Sequence, residues 1–135
     1  MADIAIDRNR ECIIDCWFHS WFDQEFDSYE KLFSRDIYYS ESWGPEYVGI
    51  EEIKRWKENW HRYSKLRVWQ IKKIYHFDDD SLVEWYFDNE SKDGRHEFDG
   101  VSLIKWKDNL MSSIKEFGSS LPHYRYFTVK QEKEY

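Results

Sequence analysis

From Tyr38 to Tyr63 the chain runs Y-Y-S-E-S-W-G-P-E-Y-V-G-I-E-E-I-K-R-W-K-E-N-W-H-R-Y. This segment reads as a short strand, a Trp43-Gly44-Pro45 turn, a break at Gly49 and then an amphipathic helix. Ile50, Ile53, Trp56, Trp60 and Tyr63 recur at spacings of three and four, so they share one helical face. Glu51 and Glu52 suit the positive end of that helix's dipole. Glu41 is a lone carboxylate that ends the strand, with bulky aromatics on both sides.

Toward the N-terminus, Arg8 to Phe22 carries a wide apolar stripe (Ile13/Ile14, Trp17/Phe18, Trp21/Phe22) and predicts a first helix. Asp23-Gln24-Glu25 interrupts it, and Phe26 to Phe33 predicts a second, shorter helix capped by Asp27 or Ser28. Beyond Tyr63 the period changes from 3.6 to 2. Leu66–Phe77, Leu82–Asn89, His96–Lys107 and Leu110–Phe117 predict four strands. Turns at Asp78-Asp79-Asp80, Lys92-Asp93-Gly94 and Asp108-Asn109 join them.

Three N-terminal helices before an antiparallel meander make an α+β domain. The expected architecture is a cone: a curved antiparallel sheet wrapped around three helices, with an apolar interior that suits a small-molecule pocket. Residues 1–118 form this single domain. Residues 119–135 are a tail, whose Tyr124, Tyr126, Phe127 and Val129 add an edge strand, pack on a partner, or stay disordered. Alternation leaves the inward face of the third meander strand open, either Phe98/Ser102/Ile104 or Asp99/Val101/Leu103.

Composition excludes several classes. At 135 residues with 8 Trp, 10 Tyr and 9 Phe, the chain can bury a real core despite a charged fraction of 35%. A net charge of −7, with Lys and Arg scattered among acids, disfavours nucleic acid and anionic membrane surfaces. No apolar run approaches the ~20 residues of a membrane span. The opening M-A-D-I-A-I-D-R-N-R lacks the apolar core of a signal peptide, so a cytoplasmic location is expected. Cys12 and Cys16 read as free thiols packed near the core. The five histidines show no ligand spacing, and neither a phosphate loop nor a nucleophile elbow occurs. No metal and no cofactor is expected.

The helix entry Y-V-G-I-E-E-I-K-R-W (Tyr47–Trp56), the strand V-E-W-Y-F and the run F-D-G-V-S-L-I-K-W-K-D-N-L-M-S-S-I-K-E-F together resemble the nuclear transport factor 2-like superfamily. The closest flavour is its SnoaL-like, ketosteroid-isomerase-like branch, over about residues 9–118. The resemblance implies isomerases, cyclases, dehydratases, epoxide hydrolases or plain binding domains, since fold alone does not select among them. It also places Glu41, through the acid-x-aromatic-Gly pattern E-S-W-G, where steroid isomerases carry their general base. Trp17 falls where they carry a Tyr donor, and Ser102 where they carry a protonated acid. Both replacements are neutral donors, which weakens the case for steroid isomerisation itself. Neither the charged triad of the epoxide hydrolases nor the paired His of the dehydratases is evident.

The candidate site is therefore Glu41 as base, with Trp17 and Ser102 as donors. Burial in an aromatic cavity would raise the Glu41 pKa toward neutrality, whereas a structural Glu41 would cap a turn or pair with a lysine. Trp21, Trp56 and Trp60 are candidate ligand-binding rings, with core packing the plainer account of such a stripe. Glu84 is either paired with Arg67, Lys73 or Lys105, or lines the pocket beside its same-face neighbour Tyr86. Asp99 before Gly100 reads as local turn or bulge chemistry.

Three functions follow. The first is a pocket protein for a small apolar or aromatic molecule. The second is an acid–base isomerase, dehydratase or cyclase, and the third a module that binds a protein through its outer sheet face. A homodimer is expected under each.

Overall fold

The computed structural model describes residues 3–129. Two helices, α1 (Ile4–Ser20) and α2 (Ile50–Tyr63), lie on one side of a curved, unclosed six-stranded sheet. Its strands are β1 (Phe33–Ser40), β2 (Glu46–Val48), β3 (Ser64–Phe77), β4 (Asp80–Ser91), β5 (Gly94–Lys107) and β6 (Leu110–Ser120), in the spatial order β2-β1-β6-β5-β4-β3. β1 runs parallel to β6, and every other pair is antiparallel. The α+β cone expected from the sequence is present.

Asp3 caps α1 by accepting from the amides of Ala5 and Ile6, and the helix turns Ile14, Trp17 and Phe18 onto the sheet. Ile53 of α2 is fully buried, while Ile50, Trp56 and Trp60 pack against the core from its margin. Tyr63, placed on the same face by its spacing, is exposed. Arg10 donates to the Asp78 carbonyl, and His76 bonds both Glu11 and the buried Ser81. These contacts pin α1 to the β3–β4 hairpin.

The second helix predicted over Phe26 to Phe33 is reduced to one 3-10 turn, Tyr29–Lys31, and β1 begins at Phe33. Too few residues remain between Glu25 and the strand to repay helix nucleation, and Ser28 makes no side-chain cap. Burial of Tyr29, Leu32 and Phe33 anchors the segment instead. The residues before α2 also pair, because β2 returns along β1 after a turn over Glu41–Pro45. The Glu41 amide donates to the Pro45 carbonyl at 2.9 Å, and Gly44 adopts φ +115°, which a residue with a Cβ rarely takes.

The sheet's inward face is now settled. Val83 and Trp85 of β4 and Ser102, Ile104 and Trp106 of β5 are buried, so the set Phe98/Ser102/Ile104 points inward. Asp99 faces out and pairs with Lys72 at 2.9 Å. No bulge interrupts β4 against β5 at this point. Gly100 serves a different purpose: it sits opposite Trp85, and a Cβ there would lie 2.3 Å from the indole. The glycine lets that ring lie across β5.

Two further expectations are corrected. Cys12 and Cys16 are free but exposed, because helix periodicity turns them away from the buried stripe of Ile14, Trp17 and Phe18. β6 continues to Ser120, and a four-residue helix covers Tyr126–Val129, so of the alternatives left open for the tail the described residues do not form a further edge strand. The end of that tail, residues 130–135, lies outside the described residues. No helix among the described residues is long and apolar enough to cross a membrane.

Gly100→Ala is expected to lower unfolding stability by about 1–3 kcal/mol through overpacking, because the backbone oxygen of Phe117 also lies 2.7 Å from the new methyl. Urea titration, with near-ultraviolet circular dichroism to follow Trp85, measures both the loss and the displaced indole.

Candidate functional site

The two helices cannot fill the concavity of the sheet with side chains as stiff as indoles. Trp21 of the α1 end stands edge-on to Trp56 and Trp60 of α2 and to Trp69 of β3, with centroids 5.0–5.7 Å apart. These rings form one side of an incompletely filled space. The result is a half-open chamber whose far wall is Trp85, Phe87 and Phe98. About 40 Å³ of it is open to the centres of water-sized groups, enough for roughly three waters or one compact apolar group. Trp43, carried on the Glu41–Pro45 turn and largely exposed, reaches over the mouth to within 5.9 Å of the Phe98 ring.

Two carboxyl groups share this chamber. Glu41 continues the inward parity of Ile37 and Tyr39 one residue past β1 and is 9% exposed. Its Oε1 accepts from the Tyr47 hydroxyl at 2.5 Å, and Tyr47 in turn stacks on Trp56. Burial raises the Glu41 pKa, and the Tyr47 hydrogen bond offsets part of that rise.

Glu116, from β6, is the second. Its Oε2 accepts from the Tyr39 hydroxyl at 2.5 Å and from Ser102 at 3.3 Å, while Ser102 is itself held by the Trp85 indole N–H at 2.9 Å. The residue keeps some exposure through the chamber, but its carboxyl is enclosed by protein. Enclosure pushes its pKa up to about 8, the Glu41 charge adds to the rise, and the two hydroxyl donors oppose it. Both carboxyls are therefore pushed toward their protonated forms, Glu116 the more strongly. The two titrate as a pair.

The predicted residues divide between chamber, backing layer and outside. Glu41, Trp21, Trp56 and Trp60 line the chamber. Trp17 is buried one layer behind, edge-on to Trp21, Phe33 and Tyr39. Its Nε1 points toward the Tyr39 hydroxyl without reaching hydrogen-bond geometry. Ser102 is fully buried and reaches the chamber only through Glu116. Glu84 and Tyr86 are not brought to the chamber, because Val83, Trp85 and Phe87 take the inward positions of β4 and leave the even residues on the convex face. There Glu84 lies across from Lys73, and Tyr86 joins the Asp88, Arg95 and Glu97 cluster.

Sequence reasoning missed Glu116, Tyr39 and Tyr47. Leu110 and Met111 offer both parities for β6, and only the bulge near Ser112 turns Ile114, Glu116 and Gly118 inward. Counting back by two from Glu116 to Ile114 was the available signal. Among the described residues no group of three His, Cys, Asp or Glu is arranged to hold a metal ion.

This geometry, a curved, unclosed sheet over two helices, is an α+β fold of the nuclear transport factor 2-like kind. A model of the SnoaL-like domain matches residues 14–114, and the chain belongs to that family. No curated protein matches the chain. Among solved structures it is similar to a hypothetical protein with a ketosteroid isomerase-like fold from Catenulispora acidiphila DSM 44928, in complex with trimethylamine. That pair shares 19% identity over 78% of this chain and 83% of the other, with a TM-score of 0.69. A proposed SnoaL-like polyketide cyclase from Mesorhizobium loti aligns at 17% identity over 83% and 97%, with a TM-score of 0.69. An LEH-like epoxide hydrolase from M. tuberculosis aligns at 11% over 83% and 84%, with a TM-score of 0.71. At these identities the likeness concerns the fold.

Because the fold raises the Glu116 pKa, the folded chain holds a proton that the unfolded chain has released between about pH 4.5 and about pH 8. Stability is expected to fall as pH rises through that window. Glu116→Gln, which keeps the shape and removes the charge, is expected to flatten the decline in urea midpoints.

Proposed function

We propose that this chain takes up a small, largely apolar organic molecule in the tryptophan chamber and moves a proton on it, with Glu41 as base and Glu116 as acid. The observation that carries the reading is that two carboxyls with different environments face one apolar space. A substrate carbonyl directed at Glu116 accepts its hydrogen bond while Glu41 takes the proton from the adjacent carbon. The electron pair of the broken C–H bond forms the C=C bond of the enol as the carbonyl π pair takes the proton of Glu116, and the reverse step returns a proton from Glu41 to that carbon and the hydroxyl proton to Glu116. Tyr39 and Ser102 hold Glu116 in place, and Tyr47 does the same for Glu41. Trp17 and Ser102 are thus proposed as backing residues in place of direct donors. The size of the chamber favours one ring or a branched alkyl group over a fused polycycle, and the trimethylamine held by the Catenulispora relative is of that order.

The test is deuterium exchange into cyclohexanone in D2O, followed by proton NMR. Glu41→Gln is expected to slow the exchange by about 100-fold, the usual scale of a general base, while the thermal shift produced by the ketone is retained. Exchange that is equal in wild type and variant would leave the chamber a binding site without proton transfer.

A second reading concerns the convex face. Tyr75 and Phe117 are exposed there around a shallow groove that also includes Leu82 and Val101. Such a patch is suited to a second copy of the chain or to another protein. Phe117→Lys is expected to convert a dimer into a monomer in size-exclusion chromatography with light scattering; a wild type that is already monomeric would remove this reading. The exposed thiols Cys12 and Cys16 accord with the cytoplasmic location expected from the sequence.

A further inference from the structure

We infer that the tryptophan chamber selects a ligand carrying a positively charged, alkylated nitrogen, held between indole faces and the Glu41 and Glu116 carboxyls. The inference rests on the reading of the chamber as a ligand site and concerns the charge of what enters it.

The charge census of the wall is one-sided. Among the residues that line the chamber, Glu41 and Glu116 alone are acidic, and no Lys, Arg or His accompanies them. A neutral ligand recovers what the carboxyls lose in hydration only where it aims a polar atom at them, and its alkyl groups return nothing. An anionic ligand would add a like charge beside the acids in a poorly screened space. A cation reverses both costs, and the remaining wall is well suited to it. Indole faces attract cations more strongly than any other side-chain ring, and Trp21, Trp56, Trp60, Trp69 and Trp85 surround the space.

Size agrees with charge. If the open space is compact, its 40 Å³ of water-sized centres admits a body of roughly 3.5 Å radius. That is close to one nitrogen bearing four methyl groups. A bare ammonium, strongly hydrated, would exchange its water for too few acceptors. Alkylation removes that hydration and fills the space.

The cation also has a protonic consequence. Facing Glu116 are Tyr39 from β1, Glu41 from the β1–β2 turn, Tyr47 from β2 and Ser102 from β5; none of these is a cation. A bound positive charge therefore favours the ionised Glu116 and drives its proton into solution. Affinity for a quaternary ammonium, which does not itself titrate, rises with pH.

Tetramethylammonium and neopentyl alcohol, nearly equal in shape and different in charge, are the probes for calorimetric titration of the full chain. The ammonium is expected to bind at least about tenfold more tightly than the alcohol, and about tenfold more tightly at pH near 9 than at pH near 6.5. Proton release, seen as a dependence of the heat on buffer ionisation enthalpy, is expected near neutral pH and requires no variant. Glu116→Gln is expected to lose the rise with pH and to bind the ammonium about tenfold more weakly than wild type at pH near 9. Equal binding of the two probes would overturn the charge selectivity and leave the chamber as a ligand site. Binding of neither would overturn both readings. A pH rise unchanged in Glu116→Gln would overturn the part assigned to Glu116.

Discussion

The register of β6 against β5 is the constraint on which the interior depends. Ile104 pairs with Ile114 and Ser102 with Glu116, but Trp106 pairs with Met111, so one extra residue is accommodated near Ser112. The Ser112 hydroxyl closes the irregularity by donating to the Lys105 carbonyl. Without that bulge, with Ser112 taken into a regular ladder, a strict two-residue period from Met111 would send Lys115 and Phe117 into the concavity and Glu116 out to solvent. A single bulge thus decides both the apolar contacts of the far wall and the presence of a second acid.

Around this register the aromatic side chains do two jobs. Trp17, Phe33 and Tyr39 form the closed floor, with edge-to-face contacts at 4.9 and 5.9 Å. The next ring of indoles stops short of closure, since each is fixed by a perpendicular neighbour and by its own strand or helix. Rigid rings give a defined cavity where flexible aliphatic chains would have collapsed into it. Polar support is laid out in the same layered way. Tyr39 and Ser102 satisfy one carboxyl from behind, Tyr47 satisfies the other from the side, and the opposite edges of both remain toward the chamber. The family relationship accounts for the scaffold; these side chains account for what this member of it can hold.

Lys57 illustrates how far the interior tolerates an isolated charge. It is buried on α2 with its amine 5.0–5.9 Å from the rings of Phe26, Tyr29 and Trp17 and without a hydrogen-bond partner among the described residues. Burial pulls its pKa down to about 8. The aromatic surroundings that offset its charge are the same chemistry that makes the neighbouring chamber attractive to cations.

Local pattern was enough for the elements that repeat. The change from a period near 3.6 to a period of 2 after Tyr63 marked the switch from helix to sheet, and the turn residues marked the hairpins. The Tyr38–Tyr63 stretch placed Glu41, Trp56 and Trp60 on the side that became the chamber, because a helix face and a strand end are set by spacing alone. Tertiary structure decided the rest. Helix and strand propensity could not show that Phe26–Phe33 would give way to a 3-10 turn, since burial of Tyr29 and Phe33 outweighs a helix too short to stand alone. Nor could alternation choose the inner face of β5, place Glu84 and Tyr86 outside, or bring Glu116 to Tyr39, its partner 77 residues away in sequence. Those outcomes depend on strand register across the sheet. Register is a relation between distant segments, set by bulges and by which rings fit together; a single strand read by itself suggests which residues share a face but not which face turns inward.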